Sequence, residues 1–463
     1  MGVVGAQAQH SYALPHSDSE VPPVSAPESP AKGDASPLFE KRDTVSYLRG
    51  PYNTAFFRRH NHAFRVGAAL HFSHAKQHDV LLLTPLSDHE RADAAFDRES
   101  VNFAQELKAW TEPHQEYYAP YTARAVWRVL RAIDWTHMHH EQTYDIMSDP
   151  DIAWREKARW TERSVRYYLD NDVAFSCAPL DVTMRRVGVM MKPYFTTFRN
   201  MYPKSNNYFY AAHWWHPVIY EAQMLAGNGP RQDEMVGETN RVYYTQVLKD
   251  RPQRMLLLRE AAPRYSRFSP ESANIFDNLH MFHGIVYDIL AYEAWTISEK
   301  RAELYRVIDA MRNRPGDEAL ARKFPTPHPD MDPRDYAAWL KGTDGEMTRI
   351  MVEMHDEMMP MMMPEEGGTT SPEMRRRMMD VMRKKLAPGL QEGETHGSLH
   401  DAMMALMPDM KMMPEAMQSG TTPHKMVEVM LKGWRDKHAN MPDAAPYPMH
   451  GDSTPTADQS TAR

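Results

Sequence analysis

The sequence predicts an all-α protein: a bundle of four inner histidine-bearing helices with intervening helices packed outside, then a Met-rich, partly flexible helical C-terminal region. Three observations carry this expectation. Residues 46 to 325 show helical apolar spacing and scarcely any strand-like alternation. Helix starts are marked there by proline or a polar cap, as at Pro120 and at Ser269-Pro270-Glu271, where a cap, a first-turn proline and an acid precede a long apolar run. Within the same region one histidine motif recurs four times.

Residues 1 to 45 are rich in Pro, Ser, Ala and acids without apolar periodicity, the composition of a disordered leader. Its first residues, Met1-Gly2-Val3-Val4-Gly5-Ala6-Gln7-Ala8-Gln9, read like the end of a truncated secretory signal with Ala6-Gln7-Ala8 as an A-x-A cleavage site. On that reading the protein is periplasmic or secreted.

The motif is His-x-x-His with an acid five residues further on. Its copies are His71 and His74 with Asp79, His137 and His140 with Asp145, His213 and His216 with Glu221, and His280 and His283 with Asp288. With 23 His in 463 residues, roughly one His-x-x-His pair is expected by chance, so four with the same acid offset form a genuine internal repeat. Copies three and four look most alike, sharing Asn207 and Asn274 upstream and a Tyr before the acid.

At about 100° per residue, positions i, i+3 and i+7 fall on one helical stripe. Position i+7 is His78 in the first copy and Tyr144, Tyr220 and Tyr287 in the others. Each helix thus offers His, His, then Tyr or His on one face, with the tyrosines as redox or hydrogen-bonding groups. The acid at i+8 is turned about 80° from the first His, placed to ligate from the flank or to accept an imidazole N–H. Neighbours such as Leu70, Phe72, Trp214, Trp215, Phe282 and Ile285 make these helices apolar nearly all round, which predicts burial. Buried imidazoles must be hydrogen-bonded or metal-bound. Pro217 and Gly284, directly after the second His, suggest a local demand stronger than helix propensity. With a return helix after each copy, the four His helices can run parallel and converge on one multinuclear site.

From 326 to 463 composition shifts, and 24 of the 36 methionines fall there beside Pro and Gly. Met347, Met351, Met354, Met358 and Met361 form an a/d stripe, and Met374, Met378 and Met382, then Met403, Met407 and Met410, repeat helical spacing. Such stripes pack helices together or dock on a protein partner. Thioethers also select Cu(I), so the region reads as a copper-capturing tail.

A net charge of -8 without an extended basic block argues against nucleic acid as a partner, and no run approaches the ~18 apolar residues of a membrane span. One cysteine, Cys177, excludes disulfide frameworks and CxxC sites, and no phosphate loop, dinucleotide fingerprint or nucleophile elbow occurs. The sequence therefore reads as a metal-binding protein, with copper ahead of iron or zinc, serving copper storage, detoxification or delivery. The alternatives are a multinuclear copper or iron oxidoreductase on a helical bundle, and a structural or interaction protein whose histidines form a polar core without metal.

Overall fold

The computed structural model describes residues 54–110, 114–323 and 328–342, with 346, 347, 350, 353 and 354. The leader, and all tail methionines named above except Met347 and Met354, lie outside the described residues. Among the described residues the regular structure is helical, with one isolated antiparallel pairing of Phe175 with Arg312.

Four repeats of one design follow one another. The first comprises a short helix α1 (Ala55–Arg59), a long helix α2 (Asn61–Leu83) and an outer helix α3 (His89–Glu106). The second comprises α4 (Gln115–Tyr118), the long α5 (Pro120–Ser148) and the outer α6 (Trp154–Leu169), after which α7 (Leu180–Val187) leads onward. The third comprises α8 (Thr197–Met201), the long α9 (Pro203–Ala226) and α10 (Pro230–Val242). The fourth comprises α11 (Leu258–Ala261), α12 (Pro263–Phe268), the long α13 (Pro270–Ala291) and α14 (Ile297–Met311). Two further helices, α15 (Asp317–Lys323) and α16 (Tyr336–Gly342), complete the order.

A sharp bend separates the short and long helix of every repeat. It lies at His60 (φ −120°, ψ 48°), Val126 (φ −148°, ψ 51°), Tyr202 (φ −130°, ψ 59°) and Ser269 (φ −143°, ψ 82°). Val126 falls inside α5, so Pro120 opens the short helix of the second repeat rather than its long one. Each bend precedes the first motif histidine by eleven residues, from 60 to 71, 126 to 137, 202 to 213 and 269 to 280. At Tyr202 and Ser269 the following proline explains the bend: its ring disfavours the α conformation for the residue before it and suits the first helical position. His60 and Val126 take the same bend without a proline.

The long helices are the inner layer. In α9, 18 of 24 residues are buried, and in α13, 19 of 22, so neither has a solvent face. The outer helices are amphipathic; α6 buries Trp160, Ser164, Val165 and Tyr168 and turns its arginines outward.

The repeats pair in halves. In the second and fourth, an aspartate three residues before the first His accepts a backbone N–H eleven residues before the bend: Asp134 from Gln115 at 3.2 Å, Asp277 from Leu258 at 2.7 Å. Twenty residues after the first His, a buried lysine caps the end of the long helix. Lys157 donates to the carbonyls of Ile146, Met147 and Asp149, and Lys300 to that of Leu290. Tertiary equivalence therefore joins repeats two and four, whereas sequence likeness had favoured three and four. The four motifs thus fall into two halves of two motifs each, repeats one with two and three with four.

Packing does not stop at residue 325. Tyr336 and Trp339 pack edge-on against Trp214 at 5.4 and 6.2 Å, and Glu346 receives His328 at 2.9 Å while its N–H donates to Glu260. Met347 and Met354 are buried.

Two glycines make opposite predictions. A Cβ at Gly67 would lie 3.1 Å from the Trp215 ring, closer than ordinary contact. Gly67→Ala should therefore destabilise by about 1 kcal/mol, overpacking outweighing the gain in helix propensity. A Cβ at Gly284 would meet Phe209 and Met255 at 3.9 and 4.0 Å, so Gly284→Ala should stabilise by up to about 1 kcal/mol. Urea midpoints at unchanged m-value check both. No close contact demands the glycine at 284, contrary to the sequence expectation.

Candidate metal centre

Nine imidazoles from the four long helices meet in the core: His71, His74, His78, His137, His140, His213, His216, His280 and His283. None is more than 8% exposed. First histidines pair within each half, His71 stacking on His137 at 3.8 Å and His213 meeting His280 at 3.7 Å. Second histidines pair between halves, His140 with His216 at 5.1 Å and His74 with His283 at 5.4 Å. His71 to His216 at 4.7 Å and His216 to His280 at 6.0 Å join these pairs into one cluster.

Three of these, His71, His140 and His216, one from each of three helices, have donor nitrogens that all lie within 4.8 Å of one another. Several ring nitrogens have no hydrogen-bond partner although fully buried: Nε2 of His74, His140 and His213, Nδ1 of His280, and both nitrogens of His216. Each such atom costs on the order of 1–3 kcal/mol. His139, next to the motif stripe, is the contrast. Its Nδ1 meets Ser164 Oγ at 2.9 Å and its Nε2 meets Ser272 Oγ at 3.0 Å, a fully satisfied structural histidine.

Burial holds His74, His140, His216, His280 and His283 well below the ordinary imidazole range, and the neighbouring imidazoles push the same way. Burial alone takes His213 down to about 3 and His78 to about 4, against the opposing pull of backbone carbonyls. These rings are neutral at pH 7, the form in which imidazole offers a lone pair.

The four acids lie elsewhere than the spacing suggested. Asp79 accepts the N–H groups of Tyr121 (3.1 Å) and Thr122 (2.8 Å), with the Thr122 hydroxyl. Asp145 accepts those of Thr54 (2.9 Å) and Phe56 (2.7 Å) in return. Glu221 accepts those of Arg264 and Tyr265 and an ion pair from Arg264, and Asp288 accepts those of Thr196 (3.0 Å) and Phe198 (2.8 Å). Each carboxylate thus caps the short helix of the partner repeat, satisfying N–H groups that no residue of that helix can reach. The capping is reciprocal between repeats one and two and between three and four.

Reciprocity also fixes direction. Asp79 lies nineteen residues beyond its own bend yet caps a helix that ends at its partner's bend, and Asp145 does the same in reverse. At about 1.5 Å per residue that is nearly 30 Å of offset, which only antiparallel helices reconcile. The pairs α2/α5 and α9/α13 are therefore antiparallel, not parallel as expected from the return helices.

The i+7 residues brace the facing helix. Tyr144 donates to the His216 carbonyl at 2.6 Å and Tyr287 to the His74 carbonyl at 2.8 Å. Tyr220 reaches the His140 carbonyl at 3.1 Å, His140 Nδ1 at 2.9 Å and the Thr143 hydroxyl. His78 replaces tyrosine in the first repeat, its Nε2 3.1 Å from Nε2 of His283.

Sequence reasoning missed Asp93, which caps α9 through the N–H groups of Lys204 and Ser205, and missed Asp134 and Asp277. A signal existed. Ala119, Tyr202 and Ala262 precede first-turn prolines and have no capping side chain, so those helices need acceptors from elsewhere. A second group, His114, Glu116 and Asp134, also has donor atoms within 4.8 Å of one another, with Asp134 buried and the other two partly exposed. Comparison with known proteins finds no matching family model, no matching curated protein and no matching solved structure.

Proposed function

We propose that this protein binds metal ions, copper first, in its buried imidazole cluster, and that it serves copper storage, detoxification or delivery. The observation that carries the reading is the His71, His140 and His216 group, with ring nitrogens of His140 and His216 buried and unpartnered. Moving three imidazole nitrogens onto a shared metal at about 2.0 Å brings them to roughly 3.5 Å apart, a modest contraction from the present spacing. A set of nitrogens without carboxylate suits copper, zinc or nickel and disfavours calcium, magnesium and carboxylate-rich di-iron chemistry. Zinc and iron are the alternatives. Copper takes precedence because residues 326 to 463 are rich in thioethers, which suit Cu(I).

The second reading, an oxidoreductase, is favoured by one contact: Tyr220 hydroxyl against His140 Nδ1, a phenol beside a candidate ligand. It predicts oxygen consumption by the copper-loaded protein with an added electron donor, reduced by Tyr220→Phe. The near-complete burial of the nine cluster imidazoles supports holding metal over turning over a large substrate.

His216→Ala tests the metal reading, since this ring has both nitrogens unpartnered. Copper bound per chain, measured after loading and removal of weakly held metal, should fall by at least one equivalent while helical circular dichroism is retained. Unchanged copper content would contradict the assignment of the core histidines.

A further inference from the structure

We infer that the cluster is two chemically different metal sites related by the internal duplication, each drawing on both halves: His71, His140 and His216, and His74, His213, His283 and His78. This rests on the metal-binding reading above and deepens it. The duplication maps repeat one onto three and two onto four. It therefore maps His71 onto His213, His140 onto His283 and His216 onto His74, so the first group has a counterpart made of different residues.

The contacts follow the mapping. His140 to His216 at 5.1 Å corresponds to His283 to His74 at 5.4 Å, and His71 to His216 at 4.7 Å to His213 to His74 at 6.5 Å. The second set is wider, its donor atoms not all within 4.8 Å of one another, but two of its rings already hold the tautomer that ligation needs. His213 Nδ1 donates to the Phe209 carbonyl at 2.7 Å and His78 Nδ1 to the Ala75 carbonyl at 3.1 Å. Such a bond fixes the tautomer and leaves Nε2 with its lone pair, as in most metal-bound histidines. Nε2 of His74 and of His213 are buried and unpartnered.

The sites differ at one position. In the first, Tyr220 hydroxyl faces His140 Nδ1 at 2.9 Å; at the equivalent point of the second, His78 Nε2 faces His283 Nε2 at 3.1 Å. Two nitrogens bound to one tetrahedral metal at about 2.0 Å are roughly 3.3 Å apart, so the His78–His283 pair already has the length of a tetrahedral edge. The first site is thus a three-imidazole site with a phenol beside it, and the second a four-imidazole site. The lone departure from tyrosine at i+7, in the first repeat, is what makes the second site four-coordinate.

The test uses Co(II), which thioethers hold poorly and whose visible absorption is strong only when four-coordinate and tetrahedral. Metal-free full-length protein is titrated against a competing chelator, for the wild type and for His78→Tyr, which places there the residue of the other three repeats, with helical circular dichroism checking the fold of both. The wild type should bind two Co(II) tightly, one with tetrahedral intensity. In His78→Tyr that equivalent should weaken at least tenfold and lose its intensity, the other remaining unchanged. A single tight equivalent in the wild type, two equivalents weakened together, or none affected would overturn the two-site division while the metal reading stands. No tight Co(II), Cu(I), Cu(II) or Zn(II) in the wild type would overturn both.

Discussion

Asp288→Ala is expected to destabilise the fold by about 3 to 5 kcal/mol and to leave the metal content per chain unchanged. The carboxylate is buried and accepts the N–H groups of Thr196 and Phe198 at 3.0 and 2.8 Å. Alanine leaves two amides at the start of α8 without acceptors, each costing about 1–3 kcal/mol, and opens a small cavity as well. Asp288→Asn keeps one oxygen acceptor and should recover about half the loss. Chemical denaturation measures the stability and elemental analysis the metal. If the acid were a ligand, as its spacing from His280 suggested, metal would fall with stability in both variants. Asp145, which caps α1 in the same manner, should behave alike.

Acidification of the metal-free protein is expected to unfold it steeply between about pH 6.5 and pH 4. Seven cluster imidazoles, with His60 and His139, titrate in the fold below their ordinary value of 6.5, those at His78 and His60 at about 4 and those at His213 and His139 at about 3. Between those values the unfolded chain binds more protons than the folded one. The stability these groups contribute is therefore complete above 6.5 and lost as pH falls. Buried acids act oppositely. Asp145 is pushed up to about 8, and Asp288 and Glu221 to about 7, so through that range the fold binds the extra proton and stability declines as pH rises. Because the imidazoles outnumber the acids, stability should peak near neutrality and drop on its acid side with an uptake of several protons. Bound metal competes with protons for the same nitrogens and should move the acid midpoint downward. Circular dichroism against pH, with and without metal, reads both effects; an acid midpoint unmoved by metal would contradict ligation by these rings.

The helical class and the four buried stripes were legible because 3.6-residue periodicity is local, and nothing in the chain competes with it. Convergence was legible as well, since four apolar helices carrying imidazoles have nowhere to place them except against one another. The acids were not. Their regular offset from the histidines reflects a partnership with N–H groups some 40 to 90 residues away in the chain, from Asp79 to Thr122 or from Asp145 to Thr54, and helical-wheel angles carry no information about such distances. Helix direction was misread for the same reason: one return helix suggests parallel neighbours, but only the reciprocal caps reveal that paired long helices oppose one another. The bends at His60 and Val126 gave no sign, because neither is followed by the proline that marks Tyr202 and Ser269.

That the buried histidines of all four repeats hold metal is the proposal on which the others rest. Elemental analysis by mass spectrometry of the full-length protein, purified and dialysed without chelator, tests it most directly when wild type is compared with the His213→Ala/His216→Ala double variant. At least two metal atoms per wild-type chain are expected, copper foremost, and fewer in the double variant. No stoichiometric metal in the wild type, before or after reconstitution with Cu(I), Cu(II), Fe(II) and Zn(II), would contradict it and leave the imidazoles as a polar core.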